Sequence, residues 1–144
     1  MRQEKRYNTQ FKTVKMKDLK QRMLDILNET AQHYNSNNRS NQNGKCTYIP
    51  LDPTKSEGCA IGRKLPKTSL ALIVEENCND KGIEVLLSKE IPLGTTFEGM
   101  SGNFLRRLQR LHDLDENWTD GGLSPQGKLK LDSFTVAINK DYSS

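Results

Sequence analysis

The chain has 144 residues, of which 28% are charged, 33% are hydrophobic and 6% are aromatic. This length predicts one compact domain, and the low hydrophobic fraction predicts a modest core. The sequence contains no run of about 18 apolar residues, so a membrane-spanning helix is not expected. Its first residues are charged rather than apolar, so we expect no secretion signal and a cytoplasmic location.

The positive charge is concentrated at the beginning of the chain. The formal net charge is +4, yet the first 22 residues alone carry +6, because eight lysines and arginines stand against Glu4 and Asp18. We predict a basic flexible arm with an irregular backbone over residues 1–12, and a single compact domain over residues 13–144. The arm is either a solvated terminus or a nucleic-acid contact, whose phosphate-binding residues are then Arg2, Lys5, Arg6 and Lys12.

The first strongly patterned segment runs from about Asp18 to Tyr34. Its apolar residues recur every three or four positions, which is typical of one buried helix stripe: Leu19, Met23, Ile26, Leu27 and Tyr34. The asparagine-rich segment 35–44 ends this helix. A short extended segment is expected over residues 45–49, where Pro50 closes it.

In the middle of the chain, the sequence predicts the secondary structure less clearly. Residues 58–65 predict a short helix with Ser56 as its N-cap and Pro66 as its stop, although two glycines leave a strand as the alternative. Residues 69–74 fit a strand or a helix. Residues 83–91 favour a helix.

Two later helices have clear start signals. Ser101 is placed to cap a helix over residues 102–112, with an inward stripe of Phe104, Leu105, Leu108 and Leu111. Ser124 followed by Pro125 predicts the start of a last helix, which ends near Asn139. Its predicted inward-facing residues are Leu131, Phe134, Ala137 and Ile138. The elements together predict a mainly helical α+β single domain with one small strand pair.

Cys59 is the most reactive candidate. Three cysteines without a secretion signal predict reduced thiols, and a thiol near a helix N-terminus is pushed towards thiolate. With His112 as base and Asp113 as its orienting carboxylate, Cys59 would act as the nucleophile of a hydrolase or transferase. Adjacent helical side chains diverge, so Asp113 can orient His112 only if the helix ends there. The alternatives are a packed or ligand-contacting Cys59 and a His112 that caps the helix.

No pattern indicates a metal or a cofactor. Cys46, Cys59 and His112 do not have the spacing of a zinc site, and the acidic segment 113–120 lacks the glycine and the final glutamate of a calcium loop. Neither a Walker loop nor a dinucleotide fingerprint is present.

Two further features admit a binding role. Trp118 either folds into the core or forms the wall of a pocket for a flat group. Arginine forks suit phosphate, so two basic segments either converge on an anion or are solvated helix faces: Arg63, Lys64 and Lys67 in one, and Arg106, Arg107 and Arg110 in the other.

Several short motifs follow one another in a distinctive order: Gly44-Lys-Cys-Thr-Tyr48, Glu57-Gly-Cys-Ala-Ile-Gly-Arg63, Leu108-Gln-Arg-Leu-His-Asp113 and Asn117-Trp118. This order resembles a family of short hypothetical proteins from bacteriophages, prophages and their bacterial hosts, over about residues 37–130. The resemblance implies a small phage-encoded accessory protein in the bacterial cytoplasm, with an anti-defence role exerted by disabling a host component. It carries over no catalytic residue.

We therefore expect a non-catalytic protein that sequesters or inhibits a host protein or an anionic, nucleotide-derived signal. The motif residues are predicted to line one pocket, with Tyr48 and Trp118 as flat walls and Arg63 and His112 as donors. The rival hypotheses are the Cys59 enzyme and a nucleic-acid-associated protein that uses the basic arm.

Overall fold

Helices dominate the described part of the chain. The computed structural model describes the backbone of residues 2–38, 41–42, 45–50 and 58–141, and the side chains of residues 17–38, 47–50 and 58–141. The helices are α1 (Arg2–His33), α2 (Lys67–Glu75), α3 (Ile83–Ser88), α4 (Gly102–Asp113) and α5 (Pro125–Asp141). Two antiparallel hairpins accompany them: β1 (Asn41–Gln42) with β2 (Lys45–Cys46), and β3 (Trp118–Thr119) with β4 (Gly122–Leu123). The predicted mainly helical α+β single domain is confirmed, with two small strand pairs in place of one.

Helix α1 begins at Arg2, much earlier than the predicted start at Asp18. The expected irregular backbone is therefore wrong for residues 2–12, which are helical. This segment has no glycine or proline and is rich in lysine, arginine and glutamine, all good helix formers. Missing apolar periodicity argues against burial of such a segment, but it does not argue against a helix. The flexibility of the arm stays a prediction.

Residues 58–65 form neither an α-helix nor a strand, but a turn that ends in a 3-10 helix over Gly62–Lys64. Gly58 has a φ of 102°, and a Cβ on Gly62 would lie 2.2 Å from the carbonyl oxygen of Tyr48. The turn therefore lies directly against the backbone of Tyr48, which only glycine permits. The predicted cap, Ser56, lies outside the described residues.

The remaining helices follow the sequence more closely. Residues 69–74 lie within α2, and α3 begins at Ile83. The oxygen of Ser101 accepts a hydrogen bond from the amide of Phe104, and that of Ser124 accepts one from the amide of Gly127, so both predicted caps are confirmed.

Helix α4 lies at the centre of the core, where it contacts α1, α3 and α5. It buries its whole predicted stripe, Phe104, Leu105, Leu108 and Leu111. Helix α5 packs on the outside of α1 and α4 and buries only Ile138 of its four predicted inward residues, while Leu131, Phe134 and Ala137 stay partly exposed. Within the described residues, no helix has both the length and the apolar character needed to cross a membrane.

Substitution of Gly62 by alanine is expected to destabilise the fold by about 3 kcal/mol or more, because the new methyl group meets backbone atoms that cannot rotate away. The matched control is Gly121→Ala, whose Cβ would meet nothing nearer than the Thr119 hydroxyl at 3.9 Å. Urea unfolding of both variants measures the difference. Equal stability of the two would show that the turn can move away from Tyr48.

Candidate functional site

Three of the four residues predicted to bind a ligand, Arg63, His112 and Trp118, contact a buried tyrosine, Tyr34, which directly follows α1. The Tyr34 hydroxyl donates a hydrogen bond to the carbonyl of Gly58 at 2.9 Å and accepts one from Nε of Arg63 at 3.2 Å. The rings of His112 and Trp118 approach the Tyr34 ring edge-on, with centroids at 4.7 Å and 6.2 Å. We call this group the Tyr34 cluster: Tyr34, Tyr48, Cys59, Arg63, His112 and Trp118.

Trp118 belongs to the interior, where it closes the end of α4. Its indole nitrogen donates hydrogen bonds to the carbonyls of Leu111 at 2.9 Å and His112 at 3.0 Å. The amide of Asn117 donates a further hydrogen bond to Leu111 at 3.2 Å. The last carbonyls of a helix have no partner within the helix. Asn117 and Trp118 therefore cap α4, and the ring of His112 packs against Tyr34 instead of capping it.

Tyr48 is also held inside the protein. Its hydroxyl accepts a hydrogen bond from the amide nitrogen of Gln109 at 2.7 Å, and the amide oxygen of Gln109 accepts one from the backbone of Ile83 at 3.2 Å. Burial raises the pKa of both Tyr48 and Tyr34 well above the ordinary range, which keeps the hydroxyls neutral.

The structure thus brings Arg63, His112 and Trp118 together around Tyr34, while the backbone of Tyr48 lies against the adjoining turn at Gly58 and Gly62. Tyr48, His112 and Trp118 are interior residues and not the walls of an open pocket. The exposed fractions of Tyr48, His112 and Trp118 are 1%, 0% and 5%. Aromatic rings with a polar tip are stable inside a protein when that tip finds a partner, and here the partners are Gln109, Asp113 and the last carbonyls of α4.

Arg63 points from this cluster towards α1, where it pairs with Glu29. Its Nη2 atom lies 2.7 Å and 2.6 Å from the two carboxylate oxygens of Glu29, and Nζ of Lys64 lies 3.1 Å from one of them. Partial burial by itself would raise the pKa of Glu29, but the hydrogen bonds from Arg63 and Lys64 lower it below its usual value. Arg63 is thus occupied in joining the turn to α1.

Cys59 has the properties of a packed residue. Its sulfur is buried and accepts a hydrogen bond from the amide of Gly62 at 3.3 Å. Burial raises the pKa of the Cys59 thiol to about 12. A cysteine nucleophile needs a lowered pKa and access to its substrate, so both properties argue against the proposed enzyme.

His112 and Asp113 nevertheless form the pair that the enzyme hypothesis required. Helix α4 ends at Asp113, and Nδ1 of His112 lies 2.8 Å from a carboxylate oxygen of Asp113. An ionised carboxylate only accepts hydrogen bonds, so Nδ1 carries the proton in this contact. The pair orients the imidazole against Tyr34, but it does not bring it an accessible nucleophile.

A second site lies on the outer side of α4. Residues of α3, α4 and α5 line a surface groove of about 540 Å³. We call it the arginine groove, and its lining consists of Glu84, Asn103, Arg106, Arg107, Gln109, Arg110, Asp113 and Phe134. Three of the six basic residues considered for an anion site therefore do share one concave surface.

The arginines in this groove are only weakly engaged. Arg106 donates a hydrogen bond to the side chain of Asn103 and lies 3.7 Å from Glu84. Arg107 lies 3.3 Å from Asp141 at the end of α5. Arg110 is exposed and makes no ion pair within the ranges that the structure describes. Exposed ion pairs contribute about 0–1 kcal/mol, so an incoming anion can replace them.

The predicted nucleic-acid residues and Cys46 lie outside the described side chains. The side chains of Arg2, Lys5, Arg6 and Lys12, and that of Cys46, are not among the described ones. Nucleic-acid binding by the arm therefore stays a prediction from charge alone. Among the described side chains, no three His, Cys, Asp or Glu residues group closely enough to hold a metal ion.

Comparison with protein-family models, with curated proteins and with solved structures finds no match to this chain.

Sequence reasoning missed the residues that organise both sites. Tyr34 does lie in the predicted apolar stripe. Because a buried tyrosine hydroxyl needs a hydrogen-bond partner, its position in that stripe already indicated a contact with another part of the chain. Glu29 lies outside the apolar stripe of α1, and no local pattern reveals that Arg63 reaches it from 34 residues away. No sequence pattern indicated a structural role for Gln109.

Replacement of Glu29 by glutamine is expected to lower the free energy of unfolding at pH 7 by about 1–2 kcal/mol, because it leaves the mostly buried Arg63 without its carboxylate. The loss is no larger because Glu29 is itself partly exposed, and solvent weakens its ion pair. The pKa of Glu29 is lower in the folded than in the unfolded protein. Ionised Glu29 therefore stabilises the fold fully above its unfolded-state pKa of about 4.3, and this stabilisation is lost as the pH falls through the folded-state pKa. Denaturant unfolding of wild type and Glu29→Gln from about pH 7 to pH 3 should show the two curves converge.

The control for this series is Glu75→Gln, which changes an exposed glutamate in the last turn of α2. It should shift stability by less than about 0.5 kcal/mol across the same range. A Glu29→Gln penalty that persists unchanged at low pH would mean that packing, and not the ion pair, is responsible.

Cys59 is expected to resist alkylation in the folded protein. With its pKa near 12, only about one thiol in ten thousand is ionised at pH 8, and the sulfur is covered. Brief exposure to iodoacetamide, followed by peptide mass mapping, should leave Cys59 unmodified in the native chain and modified in guanidinium. Rapid labelling of native Cys59 would restore the nucleophile hypothesis.

Proposed function

We propose that this protein is a non-catalytic binding protein that takes up an anionic component of a bacterial host cell at the arginine groove. The observation that carries the proposal is the alignment of Arg106 and Arg110, one helical turn apart, with Arg107 beside them on a concave surface. Guanidinium groups in this arrangement offer forked donors to a phosphate or carboxylate. The bacterial, cytoplasmic setting comes from the resemblance to phage and prophage proteins.

A binding role is also supported by the character of the interior. The one nucleophilic side chain at the Tyr34 cluster is neutral and covered, and His112 is held against Tyr34. A protein of this kind acts by occupying its target and has no need to transform it. Sequestration or inhibition of a host molecule is the activity that fits such a site.

Loss of Arg110 is expected to weaken binding of an anionic probe about tenfold or more, as charge-assisted hydrogen bonds are worth about 1.5–3 kcal/mol. Calorimetric titration of the whole chain with inorganic tripolyphosphate and with ATP, without divalent cations, measures this for wild type and Arg110→Gln. The affinity should fall between about 50 mM and 200 mM salt. ATP recovered from the complex should be intact.

Lys128→Gln is the matched control, because it also removes one exposed positive charge but lies on α5 outside the groove. It should leave both affinities within about twofold of wild type. Equal losses in the two variants would show attraction by net charge only, and wild-type protein that binds neither probe would overturn the proposal.

A further inference from the structure

The arginine groove is chemically two-sided. Its arginines all come from α4, whereas α5 contributes one aromatic ring, Phe134. Asp141 follows Phe134 by seven residues, so the two lie on the same side of α5, and the contact of Asp141 with Arg107 turns that side towards α4. A ligand that lies across the groove therefore meets guanidinium groups at one wall and an apolar ring at the other.

Two carboxylates in the same lining constrain the ligand further. Glu84 and Asp113 offset two of the three arginine charges, which leaves one net positive charge. A bare polyanion would be repelled by these like charges, whereas a molecule that also carries hydroxyl or amino groups can donate further hydrogen bonds to the carboxylate oxygens. Gln109 also lies in this lining, where its amide nitrogen donates a hydrogen bond to Tyr48 and its amide oxygen accepts one from the backbone of Ile83.

Size and chemistry agree on one class of molecule. A groove of about 540 Å³ lies within the usual range for small-molecule sites, about 300–1,000 Å³. Phosphates match Arg106 and Arg110, a flat base matches the Phe134 ring, and sugar hydroxyls match the carboxylate of Glu84.

We infer that the arginine groove binds a nucleoside polyphosphate, with its phosphates on Arg106 and Arg110 and its base stacked on Phe134. This inference rests on the proposed function and narrows it to one ligand class. The sequence placed the binding site for an anionic, nucleotide-derived ligand at Tyr48 and Trp118. The inferred site lies instead on the outer surface of α4 and α5.

The experiment compares ATP with inorganic tripolyphosphate, which has the phosphates without the base. Wild-type protein should bind ATP about tenfold more tightly, in line with the contribution of base stacking on an aromatic side chain. Phe134→Leu should abolish this preference by lowering the ATP affinity to that of tripolyphosphate. Phe134→Tyr keeps a ring and should retain the preference, which separates stacking from any loss of packing in α5.

Val136→Ala is the control on the same helix, because Val136 is 66% exposed and does not line the groove. It should leave both affinities unchanged. Equal wild-type affinity for the two probes, or an ATP preference that survives in Phe134→Leu, would overturn the inference while leaving the arginine site intact. Binding of a glutamate-rich peptide in place of both probes would also overturn it and indicate a protein partner. An Arg110→Gln variant with wild-type affinity would instead overturn the proposed function itself.

Discussion

The hydroxyl of one buried tyrosine is the constraint on which the rest of the structure depends. Tyr34 cannot leave its hydroxyl unpaired inside the protein without a cost of about 1–3 kcal/mol, and both of its partners come from the turn over residues 58–63. That turn can approach only because glycine at position 62 lets its backbone touch Tyr48. The end of α1, the turn and the backbone of Tyr48 are thereby held in one arrangement.

The same cluster positions α4. His112 packs edge-on against Tyr34, while Trp118 and Asn117 close the carbonyl end of the helix. With its apolar stripe buried and its end sealed, α4 has a defined rotation about its own axis. Its opposite face must then point outwards, and that face carries the arginines. The interior cluster thus serves the candidate site indirectly, by fixing the helix that presents it.

Local signals predicted the elements that depend on local physics. The caps at Ser101 and Ser124 act through hydrogen bonds only three residues long, and the stripe of α4 needs only helical periodicity. Residues 58–65 were misjudged because the reason for their glycines is the backbone of Tyr48, at least ten residues earlier in the chain. Residues 2–12 were misjudged because weak apolar patterning was taken to mean irregular backbone.

The amino-acid order alone was sufficient for the mainly helical class, the caps at Ser101 and Ser124 and the apolar stripe of α4. It also singled out Arg63, His112 and Trp118, but as residues of an open pocket and without Tyr34, which they contact in the interior. What it could not supply was which of the chemically similar groups would remain accessible. Arg63 and Arg110 look alike in the sequence, but Arg63 is consumed by Glu29 whereas Arg110 faces solvent. Long-range packing decides the difference. A polar side chain is buried or exposed according to the distant residues that pack around it in space, and its neighbours along the chain do not reveal which residues these are.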